Sequence, residues 1–107
     1  MVDSVHRLSG SAEAVAVGLG MPGLVIDHSV VGPCPNLSGW GQPVDVGAAL
    51  IEALGKPVIV ANDVNCGALA EQRVGVGKGV PDLLTVLVGT GVGGGLILGG
   101  RLVTGAR

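Results

Sequence analysis

The sequence predicts an α/β fold in which a mixed sheet carries helices packed on it. Three observations lead there. Short β-rich apolar runs over residues 14–20, 58–60 and 83–88 are bounded by turn residues. Two segments, Val46–Leu54 and residues 64–74, carry helical spacing next to capping residues. Strand-to-helix steps also alternate with hairpins, which argues against a simple doubly wound sheet.

Each element follows in turn. Residues 4–11 are short and polar and read as the tail of a helix begun upstream. Residues 14–20 read as a buried strand closed by the turn Met21-Pro22-Gly23. Residues 24–27 and 29–31 form a hairpin about Asp27-His28. Residues 33–43 are a loop by composition, with three prolines and two glycines. Over Val46–Leu54 the apolar positions Val46, Ala49, Leu50 and Ala53 share a face, with Asp45 as N-cap and Gly55 as the C′ residue. Lys56-Pro57 leads into a strand that ends in the polar cluster Asn62-Asp63-Val64-Asn65. The helix over residues 64–74 follows, capped by Asn62 or Asp63. Residues 75–81 are a loop. Leu83–Val88 and residues 96–98 are strands flanking a glycine loop, Gly99-Gly100-Arg101 is a second turn, and Leu102-Val103 a third short strand.

Composition narrows the function. Hydrophobic residues at 48% against 13% charged exclude a disordered chain. A net charge of −2 leaves no basic footprint, so no nucleic-acid partner is expected. Residues 83–100 are uncharged and long enough to raise a membrane span, but their glycine-rich centre breaks a helix, so no membrane partner is expected either. Residues 1–20 lack the apolar run of a signal peptide. Cys34 and Cys66 form no C-x-x-C pair, and His6 and His28 complete no metal-ligand spacing, so we expect a cytoplasmic protein with reduced thiols and no metal site. Glycine counts 21, about three times its usual share, and Trp40 is the sole aromatic. The resulting core of small aliphatics is poor for a domain of this length.

Open α/β sheets bind ligands at the carboxyl ends of their strands, where Asn62 and Asp63 lie. The same pair also suits a plain helix cap. Residues 18–23 and 89–94 both match G-x-G-x-x-G, but each runs into another strand, whereas a dinucleotide site needs a helix N-terminus there. The Walker pattern fails because Gly79 follows Lys78. A glycine loop between strands can present successive N–H groups to an anion, with the Thr90 hydroxyl as another donor, or it can be a hairpin that binds nothing. Phosphoryl transfer needs a carboxylate to deprotonate the attacking hydroxyl and donors for the phosphate oxygens, and this chain offers both about 25 residues apart. His6 reads as solvated, His28 as a hairpin-tip residue, Trp40 as a packing anchor or a cover for a sugar ring, and Glu71 and Arg73 as a solvated helix face. Lys78 receives no role.

These motifs carry a family resemblance. Residues 17–23, 36–40, 62–71 (Asn62-Asp63-Val64-Asn65-Cys66-Gly67-Ala68-Leu69-Ala70-Glu71), 75–79, 89–97 and 99–102 resemble, in order and spacing, the ROK family of sugar kinases and sugar-responsive repressors, which includes bacterial glucokinases. The resemblance implies an actin-like, ribonuclease H-like fold of two lobes with a sugar and ATP, accompanied by Mg2+, in the cleft. It implies Asp63 as the catalytic base, Asn62 as a sugar-hydroxyl ligand, and Asn36 and Gly23 in segments lining the sugar pocket. It assigns Gly89, Thr90, Gly91 and Gly93 to a phosphate loop. Asp63 at a helix N-terminus fits, because the dipole there favours negative charge.

The departures are equally informative. The family's first phosphate motif, its Glu-x-x-Gly-His segment, its cysteine-rich zinc motif and its adenosine-binding elements are missing, and Cys34 and Cys66 do not replace the zinc site. The resemblance therefore implies a fragment. Residues 1–62 would be the end of the small, sugar-side lobe, and residues 63–107 the interlobe helix and the start of the large lobe. It implies a hexose kinase inactive as this piece alone, or a repressor whose DNA-binding region lies elsewhere, and a homo-oligomeric parent.

Overall fold

A computed structural model of the chain describes residues 1–9, 14–34 and 37–105. The chain divides into two compact units, Met1–Ala61 and Asn62–Arg107.

In the first unit, helix α1 (Val2–Ser9) has Asp3 in its first turn and His6 and Arg7 in its last, the charge order a helix dipole favours. Strand β1 (Val17–Met21) pairs with β5 (Val58–Asn62), and Val17 N–H donates to the Pro57 carbonyl at 2.9 Å. The sequence reading overstated β1. Ala14, Val15 and Ala16 precede it, Val15 is 85% exposed, and the strand alternates half-buried and exposed positions until Met21.

Strands β2 (Val25–Ile26) and β3 (Val30–Val31) form the expected antiparallel hairpin. Asp27 and His28 take φ of 51° and 56°, left-handed values rare outside glycine and tolerated best by residues such as Asp, Asn and His. The His28 carbonyl accepts the Val60 N–H at 2.8 Å, so this tip is tied to β5. Beside β3 lies β4 (Val44–Asp45), with Val30 opposite Asp45 and Val31 opposite Val44. Sequence reading missed β4, a two-residue strand made by its partner rather than by its own pattern.

Helix α2 (Val46–Leu54) has the expected caps. The Asp45 carboxylate accepts the Ala48 N–H at 2.9 Å and the Ser29 hydroxyl, which holds its pKa below the ordinary 3.8. Gly55, at φ 63°, donates its N–H to the Ile51 carbonyl. The buried face is Val46, Gly47 and Leu50, while Ala49 and Ala53 face solvent, contrary to the expected stripe. Met21, Val25, Val31, Val46, Leu50, Val58 and Val60 form the core, and Trp40 packs against it.

The second unit is a helix on a hairpin sheet. Helix α3 (Asp63–Val74) covers one face of β6 (Leu83–Val88) and β7 (Val92–Leu98), with β8 (Arg101–Leu102) completing the order β6-β7-β8. Register places Leu87 opposite Gly93, Thr85 opposite Gly95 and Leu83 opposite Ile97 on the helix-covered face. The other face presents Leu84, Val86, Val88, Val92, Leu96 and Leu98, all exposed. Residues 93–95, expected in the glycine loop, belong instead to β7. Glu71, expected to be solvated, accepts the Val76 N–H at 3.0 Å and fixes the turn after α3. Residues 83–100 are a β-hairpin and its following turn, and among the described residues no helix is long and apolar enough to cross a membrane.

Candidate functional site

The apolar strand β5 and helix α3 meet at Asn62-Asp63, and the two residues divide the work between them. Asn62 is the cap. Its backbone is extended, at φ −65° and ψ 138°, and its Oδ1 accepts the Asn65 N–H at 3.1 Å. Asp63 is the first helical residue. Its Oδ1 accepts the Val64 N–H at 2.9 Å, and the side chain is exposed. No further side-chain bond holds its other oxygen among the described residues. A carboxylate with one oxygen steadied by its own helix and the other facing solvent, in the turn where the dipole favours negative charge, can accept a proton from an incoming hydroxyl.

The glycine stretch splits into two parts with different physics. Gly93 and Gly95 lie under α3. A Cβ on Gly93 would come within 2.5 Å of Val64 Cγ2, and one on Gly95 within 2.6 Å of Ala68 Cβ. Val64 and Ala68 are one helical turn apart, so the two glycines, two strand positions apart, admit one stripe of α3. Close packing alone accounts for Gly93. The turn itself is only Gly89-Thr90-Gly91. Gly89 donates to the Gly91 carbonyl at 2.8 Å, so its N–H serves the turn. The Thr90 and Gly91 amides and the Thr90 hydroxyl, on exposed residues, are the remaining donors of the turn. A Cβ on Gly89 or Gly91 would meet nothing within 4 Å, and neither has a positive φ. Neither strain nor internal packing requires glycine there, and the absent side chains leave the backbone open to close approach.

Val64 follows Asp63 directly, and Gly91 lies two residues before Gly93, about 7 Å along an extended strand. The Val64–Gly93 packing therefore brings Asp63 and the tip Gly89-Thr90-Gly91 to the same end of the second unit. Sequence reasoning assigned no role to Val64, which sets this juxtaposition; its signal is the two-residue spacing of Gly93 and Gly95, a period that marks one face of a strand.

The remaining site expectations lie in the first unit. Gly23 has φ 93°, and the buried Cys34 side chain lies 3.8 Å from where its Cβ would be. Asn36 lies outside the described residues. Cys34 and Cys66 are both free thiols. Among the described residues no group of three His, Cys, Asp or Glu side chains could hold a metal ion.

The family model described as the ROK family matches residues 1–107. The glucokinase of Thermotoga maritima is 33% identical over 106 residues, which cover 98% of this chain and 33% of that protein. A crystal structure of a ROK family glucokinase from Streptomyces griseus, in complex with glucose and AMPPNP, superposes with a TM-score of 0.82 at 34% identity, covering 98% of this chain and 35% of that one. A ROK family transcriptional regulator, a homolog of the E. coli MLC protein, superposes with a TM-score of 0.79 at 26% identity, covering 97% and 27%. The α/β fold is thus that of part of a ROK sugar kinase, the actin-like architecture. The chain spans about a third of the length of the curated relatives it matches.

Proposed function

The chain belongs to the ROK family, and from that premise we propose that it supplies the hydroxyl-activating carboxylate and one phosphate-facing turn of an ATP-dependent hexose kinase. The observation that carries this reading is Asp63, exposed at a helix start and held at the same end of its unit as the outward-facing tip Gly89-Thr90-Gly91.

In the proposed reaction, Asp63 takes the proton of a sugar hydroxyl. The hydroxyl oxygen attacks the γ-phosphorus of ATP, the bond to the β-phosphate oxygen breaks, and ADP leaves with that electron pair. Asn62 fixes where Asp63 begins and is proposed to bind a neighbouring sugar hydroxyl. Asn36 and the backbone at Gly23 are proposed to line the sugar pocket. The Thr90 hydroxyl and the amides of Thr90 and Gly91 face phosphate oxygens, and the open space at Gly89 and Gly91 fits that approach. Mg2+, when bound with the nucleotide, supplies positive charge to its phosphates.

A sugar-sensing regulator is the second reading, since the same backbone occurs in a ROK family transcriptional regulator. A sensor needs to bind sugar but has no use for a base. The two readings separate in a chimera in which residues 1–107 replace the matching third of the Streptomyces griseus glucokinase. ATP-dependent glucose phosphorylation by this chimera supports the kinase. Glucose binding by a folded chimera without turnover supports the regulator.

A further inference from the structure

A shallow cavity of about 600 Å³, wide open to solvent, lies at the far end of α3, around Gln72, Arg73, Lys78 and Gly100, with Val80 and Pro81 in its wall. Gln72 is nine residues from Asp63, about 14 Å along a helix at 1.5 Å per residue. The cavity is therefore separate from the proposed catalytic end.

Three features of its lining converge. First, Val64, Ala68 and Gln72 follow at intervals of four and so form one stripe of α3. The first two positions are apolar and rest on Gly93 and Gly95, but the third is a glutamine. Its Oε1 is buried and has no hydrogen-bond partner, a costly state for a side-chain acceptor. Its Nε2 donates to the Val80 carbonyl at 3.4 Å, long for such a bond and easily exchanged for a better one. Second, Arg73 and Lys78 both line the cavity, both are exposed, and neither has an ion pair among the described residues. Third, the nearby carboxylates are committed elsewhere. Glu71 accepts the Val76 N–H and Asp82 accepts the Gly99 N–H at 2.7 Å, and neither lines the cavity.

We propose that this cavity binds a small phosphate monoester that also carries hydroxyl groups. A phosphate monoester brings a charge near −2 at neutral pH, which matches the two unpaired cations of the lining. A hydroxyl of the same molecule donates to Gln72 Oε1 once the amide turns into the cavity. An anion with no hydroxyl, such as sulfate, satisfies the cations but leaves the glutamine unmet, and a neutral sugar does the reverse. Occupancy here offers a second, non-catalytic binding event on the helix that starts at Asp63, and this inference stands whether or not the kinase reading holds.

The test is an amide-resolved NMR titration of the 107-residue chain at low ionic strength with glucose 6-phosphate, sulfate and glucose. Glucose 6-phosphate should shift the Gln72, Lys78, Gly79, Val80 and Gly100 amides saturably and bind about tenfold tighter than sulfate, about 1.4 kcal/mol, the scale of one added hydrogen bond. Lys78→Gln and Arg73→Gln, both at exposed positions, should each weaken glucose 6-phosphate about tenfold, as loss of a charge-assisted contact does. Gln72→Leu, which extends the apolar stripe, should leave the fold intact and erase the preference for glucose 6-phosphate over sulfate. Shifts confined to Gly89-Thr90-Gly91, or affinities unchanged in Lys78→Gln and Arg73→Gln, would overturn the site. Sulfate binding as tightly as glucose 6-phosphate to the unsubstituted chain would overturn the hydroxyl contact.

Discussion

Val64 rests on Gly93 so closely that a single added methyl carbon at Gly93 would stand 2.5 Å from Val64 Cγ2. That contact seats the start of α3 on the sheet. It holds Asp63 at the end of the layer where the β6–β7 turn emerges.

The contact makes Gly93 a stability position. Gly93→Ala should destabilise the second unit by about 1–3 kcal/mol, the usual cost of overpacking. Val64→Ala should recover part of that loss in the double variant, because it removes the atom that the new methyl meets. Urea denaturation followed by the amide exchange of α3 reads both effects.

Gly91 should behave in the opposite way. Its Cβ position is open and its φ is not in the left-handed region, so Gly91→Ala should change stability by no more than about 0.5 kcal/mol, as at an unstrained surface site. In the glucokinase chimera the same substitution should raise the KM for ATP and leave the KM for glucose unaltered. Steady-state kinetics with each substrate varied in turn checks this.

Much of the frame was legible because local chemistry decided it. Asp45 and Gly55 bound α2 from either end, and Asp27-His28 places the first hairpin turn, all through short-range preferences of the residues themselves. What was not legible came from tertiary partners. A run such as Gly93-Gly94-Gly95 reads as a loop because glycine weakens strands, yet here Val64 and Ala68 need the space, and an α3 stripe cannot be seen from β7 alone. Val44-Asp45 is a strand only because Val30 and Val31 lie beside it. The Asn62-Asp63 pair was ambiguous between cap and site for a similar reason: both residues favour helix starts. Only the geometry assigns the cap to Asn62 and leaves Asp63 its exposed oxygen.

That division predicts a split between two neighbouring substitutions. Asn62→Ala removes the acceptor for the Asn65 N–H and should cost about 1 kcal/mol of stability, while Asn62→Asp or Asn62→Ser should restore most of it. Asp63→Asn keeps an oxygen for the Val64 N–H and should fall well short of that cost. Thermal denaturation of the three Asn62 variants and Asp63→Asn side by side distinguishes the two roles.

Asp45 gives the pH dependence. The Ser29 hydroxyl, and after it the Ala48 N–H, hold its folded pKa below 3.8. A carboxylate with a depressed folded pKa stabilises the fold above its unfolded value, and that contribution disappears as pH falls through the folded pKa. The α2 cap should therefore weaken only under acid conditions below pH 3.8, with neutral pH fully on the stable side. Ser29→Ala should move the Asp45 titration upward toward its ordinary value, as read from its carboxyl carbon shift by NMR.

The central claim is that Asp63 removes a proton from the sugar hydroxyl. Its most direct test is kcat and the glucose KM of the chimera carrying Asp63→Asn, an isosteric change that leaves the fold and the helix start in place. A fall in kcat of about 10²-fold or more is expected, with glucose binding largely retained, the scale of losing a general base. An unchanged kcat in the folded variant would contradict it and leave Asp63 as no more than the first residue of α3.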